Sequence, residues 1–448
     1  MRNSFKGLLG RRFKCKCGRV HFVPPLELYT GKNGISRLLD VVHRIGVGGR
    51  VLVVADKNTF RVAGEEVAER LAEDGPSVAV EVYCPAKKEE LTAEHSLAEK
   101  LAKRMKEKFD FAIAVGSGTI NDLTKYAAAK CGIPYIVYAT APSMNGYPSF
   151  MAALSYKGIK KSFKARPPVA IIGDIDILSN APKELIESGL GDGISKSVCN
   201  IDWKIAGMLK KEHFCPLPVK LMENVMSFYL KKGPLIKTRN KAVIKRLFEV
   251  LNLAGIAMTL AGSTKPASGG EHYISHYLDL FNSIKGKKHT LHGYQVSVAT
   301  VICTKLYEYL LKLDVEKIDI EKLRKKWFSR RWTKKYFQDF YGAKMSERVR
   351  KEFMEKSVSW DRKEKEIRFI MRNWKKIRRT IKDMLVPSQK IISTLKKAGV
   401  PVSFSQLGIS RREMKDTLLH CREIRSRYII FDLAYDLGVL EKYTEEYI

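Results

Sequence analysis

Over its first 180 residues the chain alternates short apolar runs with amphipathic stretches, and this alternation restricts its fold more than any other feature. Residues 50–56 form an apolar run ending in a carboxylate, followed by a helical pattern from Val62 to Glu73. Residues 77–84 alternate valine with polar residues as a strand does, and residues 95–109 read as an amphipathic helix. Residues 111–115 form a buried strand, 120–130 a helix, and 134–138 and 168–173 two further strands. Strands spaced by helices predict a doubly wound, mostly parallel sheet. After about Asn180 the pattern is helical, with breaks at Pro216, Pro218, Pro234, Pro387 and Pro401 and no compelling strand beyond Ile172. The expected architecture is an α/β domain over residues 1–180 and an all-helical domain over 181–448, with the active site in the cleft between them.

A chain of 448 residues exceeds one ordinary core, so two domains agree with length as well as pattern. No apolar run reaches the roughly 18 residues of a membrane span, and no apolar signal core follows the basic start. The eight cysteines show no disulfide-framework spacing. These features predict a cytoplasmic address.

The formal net charge of +33 predicts attraction to something polyanionic. The excess concentrates between Glu321 and Leu385, where 23 Lys and Arg face nine Asp and Glu. Runs such as Arg330-Arg331-Trp332 and Trp374-Lys375-Lys376 interleave aromatic and basic side chains. A nucleic-acid or anionic-membrane surface is one reading of this region; a solvated face of amphipathic helices is the favoured one.

Three local patterns carry chemistry. Val115-Gly116-Ser117-Gly118-Thr119 joins a buried strand to a helix, where glycines let backbone N–H groups approach a phosphate at a helix N-terminus. Asp56, at a strand end, suits either an adenosine ribose or the cap of the following helix, and Lys57 beside it suits a 2′-phosphate, so NAD and NADP both stay open. The second pattern is histidine density: four of the nine histidines, His272, His276, His289 and His292, fall within 21 residues. His272 and His276 share a helix face. With Asp192, framed by glycines in Gly189-Leu-Gly-Asp-Gly193 and expected at a helix start, His272 and His292 supply one carboxylate and two imidazoles. That is a donor set for a catalytic divalent ion. The third pattern, Cys15-Lys-Cys17-Gly-Arg-Val-His21, offers three metal donors with no fourth nearby, and a strand-edge or loop cluster is its favoured reading.

Taken in order, these motifs resemble the sn-glycerol-1-phosphate dehydrogenase family, bacterial type, within the iron-containing alcohol dehydrogenase and dehydroquinate synthase superfamily. The resemblance extends through residues 133–147, which include Ala141-Pro-Ser-Met-Asn-Gly-Tyr147, and through Ile201-Asp-Trp-Lys204, Ser268-Gly-Gly-Glu-His272 and residues 424–435. It implies that Asp192, His272 and His292 hold Zn²⁺ or Ni²⁺. It further implies that Gly116, Ser117, Gly118, Thr119, Asp122, Thr140 and Ser143 line the NAD or NADP site, with Asp56 at the ribose.

The implied reaction is NAD(P)H-linked reduction of dihydroxyacetone phosphate to sn-glycerol 1-phosphate, and its reverse. His276 is the expected proton relay or hydroxyl contact, and Lys160 the expected phosphate contact. Relatives carry Asp where this chain has Asn145, and an amide cannot take a proton at neutral pH, so the substrate contact expected of position 145 is changed. A dimer is implied. The alternatives are a dehydrogenase of another polyol or polyol phosphate, and a non-catalytic polyanion binder using the basic helical region.

Overall fold

The apolar runs pair as their spacing requires. The computed structural model describes residues 6–24, 26–46, 49–85, 91–106, 109–156, 158–329 and 332–447. Its ten strands are β1 (Arg12–Lys14), β2 (Val20–Phe22), β3 (Glu27–Gly31), β4 (Arg50–Asp56), β5 (Ser77–Tyr83), β6 (Phe111–Gly116), β7 (Tyr135–Ala139), β8 (Met151–Tyr156), β9 (Ile159–Lys164) and β10 (Ala170–Asp174). Six of them form one sheet in the order β3-β10-β7-β6-β4-β5, with every neighbouring pair parallel.

The central strands are apolar at nearly every position because both sheet faces are covered. Val51, Val53, Phe111, Ile113 and Val115 pack with Leu38, Val41, Val67 and Leu71 on one face. The alternate residues Leu52, Val54, Ala112 and Ala114 point to the other face, against Leu101, Ile120 and Leu123. That second core continues into the helices Lys183–Ile194, Pro216–Lys232 and Lys241–Ala261. From Ile175 onward the described residues are helical or irregular, with a further core around Tyr273, Val298, Tyr307 and Phe431.

Three strand features went unread in the sequence. β3 is an edge strand with one buried residue in five, too weak a signal to register. β1–β2 and β8–β9 are antiparallel hairpins outside the main sheet. Gly158, at φ 78°, turns the second hairpin, a conformation that favours glycine.

Among the described residues no helix is long and apolar enough to cross a membrane. The eight cysteines are unbridged. In the basic region most described aromatic rings turn inward: Trp360 and Trp374 are buried, though Phe369 is exposed, and the Trp332 ring lies 4.4 Å from that of Phe353, tilted by 40°. Arg330 and Arg331 lie outside the described residues. Rings packed in a core do not present faces for base stacking, so this geometry favours the solvated-helix reading of the charge run.

Candidate active site

The strand-to-helix turn forms where the sequence places it. β6 ends at Gly116, Ser117 is the N-cap, and the helix Gly118–Cys131 follows. A Cβ on Gly116 would lie 2.7 Å from the Ile120 Cβ, and one on Gly118 3.4 Å from Met144. Glycine at 116 therefore permits the close turn, while the first N–H groups of the helix have no intrahelical acceptor. The loop after β7 runs alongside, with the Thr140 amide donating to the Gly116 carbonyl at 3.2 Å. Ser143, buried in the same loop, accepts from the Ser188 hydroxyl through its carbonyl at 3.3 Å.

Asp122 and Lys125 knit this turn together. Asp122 accepts from Asn121 Nδ2 at 2.9 Å, Lys125 Nζ at 3.4 Å and the Ala153 amide at 3.1 Å. Lys125 Nζ also donates to the Gly146 and Met151 carbonyls. Burial pushes the Asp122 carboxyl up and the Lys125 amine down, each partly offset by the other's charge. Asp56 Oδ1 accepts from the Asn58 and Thr59 amides at 2.8 and 2.9 Å, so it caps the next helix.

Asp192 lies in the last turn of the helix Lys183–Ile194, not at a helix start as the sequence suggested. Its flanking glycines serve close packing. A Cβ on Gly191 would sit 2.2 Å from the Gly293 carbonyl oxygen, and one on Gly293 would sit 1.9 Å from the Ser188 oxygen. Two helices thus meet backbone to backbone, and that contact brings Asp192 to His292 at the start of the helix His292–Leu311.

His272 comes from the helix Gly270–Lys285. Asp202 fixes the start of that helix: its Oδ2 accepts from the Gly270 amide at 2.6 Å, while Oδ1 accepts from the Ile430 amide at 2.9 Å and from the Tyr307 hydroxyl. Burial beside Glu271 pushes the Asp202 carboxyl up to about 8.

One donor atom from each of Asp192, His272 and His292 lies within 4.8 Å of the others. His272 Nδ1 faces Glu271 Oε1 at 2.7 Å, which leaves Nε2, 3.7 Å from Asp192 Oδ1, for the centre. The Ser275 hydroxyl donates to Gln295 Oε1 at 2.6 Å and lies 3.0 Å from His292 Nδ1. With its only proton on Gln295, Ser275 must accept from His292 Nδ1–H, and His292 Nε2 keeps its lone pair. Gln295 Nε2 in turn donates to Asp279 Oδ1 at 3.0 Å. Burial drives the His272 imidazole down to about 3 and holds His292 well below its usual value. A neutral imidazole whose other nitrogen is tied to an oxygen is the state that ligates a metal.

Asp192 is oriented from the opposite side: the Asn145 amide N–H donates to Oδ2 at 3.0 Å and Asn145 Nδ2 to Oδ1 at 2.9 Å. One carboxylate and two such imidazoles fit a divalent cation with positions to spare. Ser275→Ala removes the acceptor that fixes His292, and metal affinity is expected to fall ~10–100-fold, read by competition with a chelating dye.

His276 stands one turn along from His272. Its ring centroid is 6.2 Å from His272 and 6.1 Å from His292, and its buried Nδ1 has no hydrogen-bond partner among the described residues. His289 sits apart, with its Nδ1 3.3 Å from Asp279 Oδ1.

His276 also lines a cavity of about 380 Å³ shared with Lys160, Arg348, Glu352, Arg425 and Arg427. Lys160 Nζ is 4.0 Å from Asp279 Oδ2. The three guanidiniums meet neutral oxygens: Arg348 the Tyr156 carbonyl, Arg425 the Lys160 carbonyl, and Arg427 Thr264 and Ser268. Among the described residues no carboxylate forms an ion pair with them. The cavity therefore carries a surplus of positive charge beside the convergent donors. Lys160 was legible in the sequence; Arg348, Arg425 and Arg427 were not given roles, although Arg425-Ser-Arg427 falls within a stretch carrying the family resemblance.

Comparison with known proteins places the chain in a family. Residues 29–182 match the family model described as iron-containing alcohol dehydrogenase. A glycerol-1-phosphate dehydrogenase [NAD(P)+] of Halalkalibacterium halodurans is 35% identical over 308 residues, covering 68% of this chain and 76% of that one. The Bacillus licheniformis protein of the same name is 26% identical over 95% of this chain and 93% of its own. Among solved structures, glycerol dehydrogenase from Schizosaccharomyces pombe superposes with a TM-score of 0.58 at 16% identity, covering 97% of this chain and 93% of that one. An archaeal alcohol dehydrogenase from a Red Sea brine pool gives a TM-score of 0.61 at 13% identity, covering 96% and 98%. The structural neighbours establish the shared fold. The level and extent of the sequence match establish kinship: the chain belongs to the glycerol-1-phosphate dehydrogenase family, within the iron-containing alcohol dehydrogenases.

Proposed function

We propose that the protein is a metal-dependent, NAD(P)-linked dehydrogenase that reduces dihydroxyacetone phosphate to sn-glycerol 1-phosphate and catalyses the reverse oxidation. The observation that carries this reading is the juxtaposition of the Asp192, His272 and His292 donors with a cavity lined by Lys160, Arg348, Arg425 and Arg427. A ketone with a phosphate ester matches both ends of that arrangement. The donor set suits Zn²⁺ or Ni²⁺, which when bound supplies Lewis-acid polarisation of a carbonyl.

The residues of the chain divide the remaining work. The arginines and Lys160 bind the phosphate and so orient the carbonyl toward the Asp192 side of the cavity. Asn145 holds the Asp192 carboxylate in place with its backbone N–H and its Nδ2, and the side-chain amide performs its part at any pH. His276, which lines the cavity and is held neutral by burial, hydrogen-bonds the substrate hydroxyl or passes a proton there. The turn at Gly116, Ser117, Gly118 and Thr119 receives the cofactor pyrophosphate, and Thr140, Ser143 and Asp122 border the same site. Asp56 retains Oδ2 for a ribose hydroxyl while Oδ1 caps the helix. Formation of sn-glycerol 1-phosphate with oxidation of NADH or NADPH tests the proposal; formation of the 3-phosphate enantiomer contradicts it.

Asn145→Asp places two carboxylates at the 2.9 Å contact with Asp192. Like charges there disfavour the metal-free protein by roughly 1–3 kcal/mol, and a bound cation relieves them. The gap in Tm between metal-free and metal-loaded protein is expected to widen, as read by calorimetry.

The imidazoles also fix the pH profile. A lowered folded-state pKa means the proton-free form persists as pH falls through the ordinary histidine value. For His272, His276 and His292, kcat/KM is therefore expected to stay level from about pH 8 to about pH 6. A fall centred near pH 6.5 would show that one of them titrates normally.

A further inference from the structure

The three donors that the sequence offered at its N-terminus meet a fourth from far along the chain. Cys15 and Cys17 lie in the tight connection of the β1–β2 hairpin, where the Cys15 amide donates to the Arg19 carbonyl at 2.9 Å, and Gly18 adopts φ 85°. His21 is on β2, across the hairpin. Cys215, fully buried, is the N-cap of the helix Pro216–Lys232. One donor atom from each of these four residues lies within 4.8 Å of the other three.

The separations match a tetrahedral ion. Zn–S bonds of about 2.3 Å and Zn–N bonds of about 2.0 Å at tetrahedral angles place two sulfurs ~3.8 Å apart and sulfur and nitrogen ~3.5 Å apart. Here Cys15 Sγ and Cys215 Sγ are 3.7 Å apart, and His21 Nε2 is 3.2 Å from Cys17 Sγ and 3.4 Å from Cys215 Sγ. Trp203, Val219, Phe214, Leu217, Ala261 and Met384 pack around the cysteines and limit water access.

We infer that Cys15, Cys17, His21 and Cys215 form a structural zinc site, separate from the Asp192 centre. Three thiolates and one imidazole satisfy four-coordinate zinc completely, which leaves no position for substrate and marks the site as structural. Because Cys15 and Cys215 are 200 residues apart, the ion staples the N-terminal hairpin to the helical part of the chain, and binding free energy becomes folding free energy.

Cobalt distinguishes the two centres, because only this one contains sulfur. Full-length protein loaded with Co²⁺ is expected to show a thiolate-to-cobalt charge-transfer band in the near ultraviolet. The band should persist at full intensity in His292→Ala, which disables only the Asp192 centre. In Cys215→Ser the band should be lost or strongly reduced, and the Tm of the Zn²⁺-loaded protein should fall by several degrees. Should Cys215→Ser fail to fold, wild type and His292→Ala decide the question alone. Co²⁺ bound by the reduced wild type without a thiolate band, or a Cys15–Cys215 disulfide in protein purified without added oxidant, would overturn the inference. Absence of turnover in fully metal-loaded wild type, with the band present, would count against the catalytic reading and leave this one standing.

Discussion

His292→Ala is expected to lower kcat/KM for dihydroxyacetone phosphate by ~10³-fold or more, equivalent to about 4 kcal/mol of transition-state stabilisation. Changes in the groups that merely orient metal-bound histidines cost ~10–100-fold in affinity or activity, so loss of a ligand itself must cost more. His292 is a clean target because, among the described residues, its side chain hydrogen-bonds only Ser275, and Ser275 keeps Gln295 as its partner. The fold should survive, with the mutant retaining its far-ultraviolet circular dichroism and losing one divalent ion per chain. Unchanged turnover in a folded His292→Ala protein would remove the metal from the account.

The second large effect concerns the other end of the substrate. Arg425 lines the cavity, and among the described residues its guanidinium hydrogen-bonds only the Lys160 carbonyl, at 3.3 Å. A charge-assisted hydrogen bond contributes ~1.5–3 kcal/mol. Arg425→Ala should therefore lower kcat/KM for dihydroxyacetone phosphate by about 10- to 150-fold, mostly through KM. With unphosphorylated dihydroxyacetone the same substitution should have little effect, since no phosphate is there to lose. Equal losses with both substrates would mean that Arg425 supports the fold rather than the phosphate. The comparison also bears on the alternative of an unphosphorylated polyol, which makes no use of a basic cavity; a polyol phosphate would share the dependence on Arg425.

The main sheet was legible because burial on both faces leaves β4, β6 and β7 almost wholly apolar, a local signal. β3 and the two hairpins were not, because their stability comes from neighbours distant in sequence. The metal donors were visible as residue types, and His272, His292 and Asp192 do converge. The purpose of their glycines was not visible: close approach of Gly191 to Gly293 is a fact about two helices about 100 residues apart. The same limit hid Cys215 from Cys15, Cys17 and His21, and separated Arg348 from Arg425 and Lys160 until the chain folded. Asn145 shows a further limit. The sequence reading could say that an amide replaces a carboxylate, but only the fold shows its Nδ2 and the backbone N–H of the same residue directed at Asp192.

The most direct test of the central claim is steady-state oxidation of NADH and NADPH by Zn²⁺- or Ni²⁺-loaded protein, with dihydroxyacetone phosphate and dihydroxyacetone compared side by side. The account predicts turnover with the phosphate ester that is lost on chelation and restored by the metal, and at most slight turnover with the free ketone. Equal turnover of the two ketones, or none with either by fully metal-loaded protein, would contradict it.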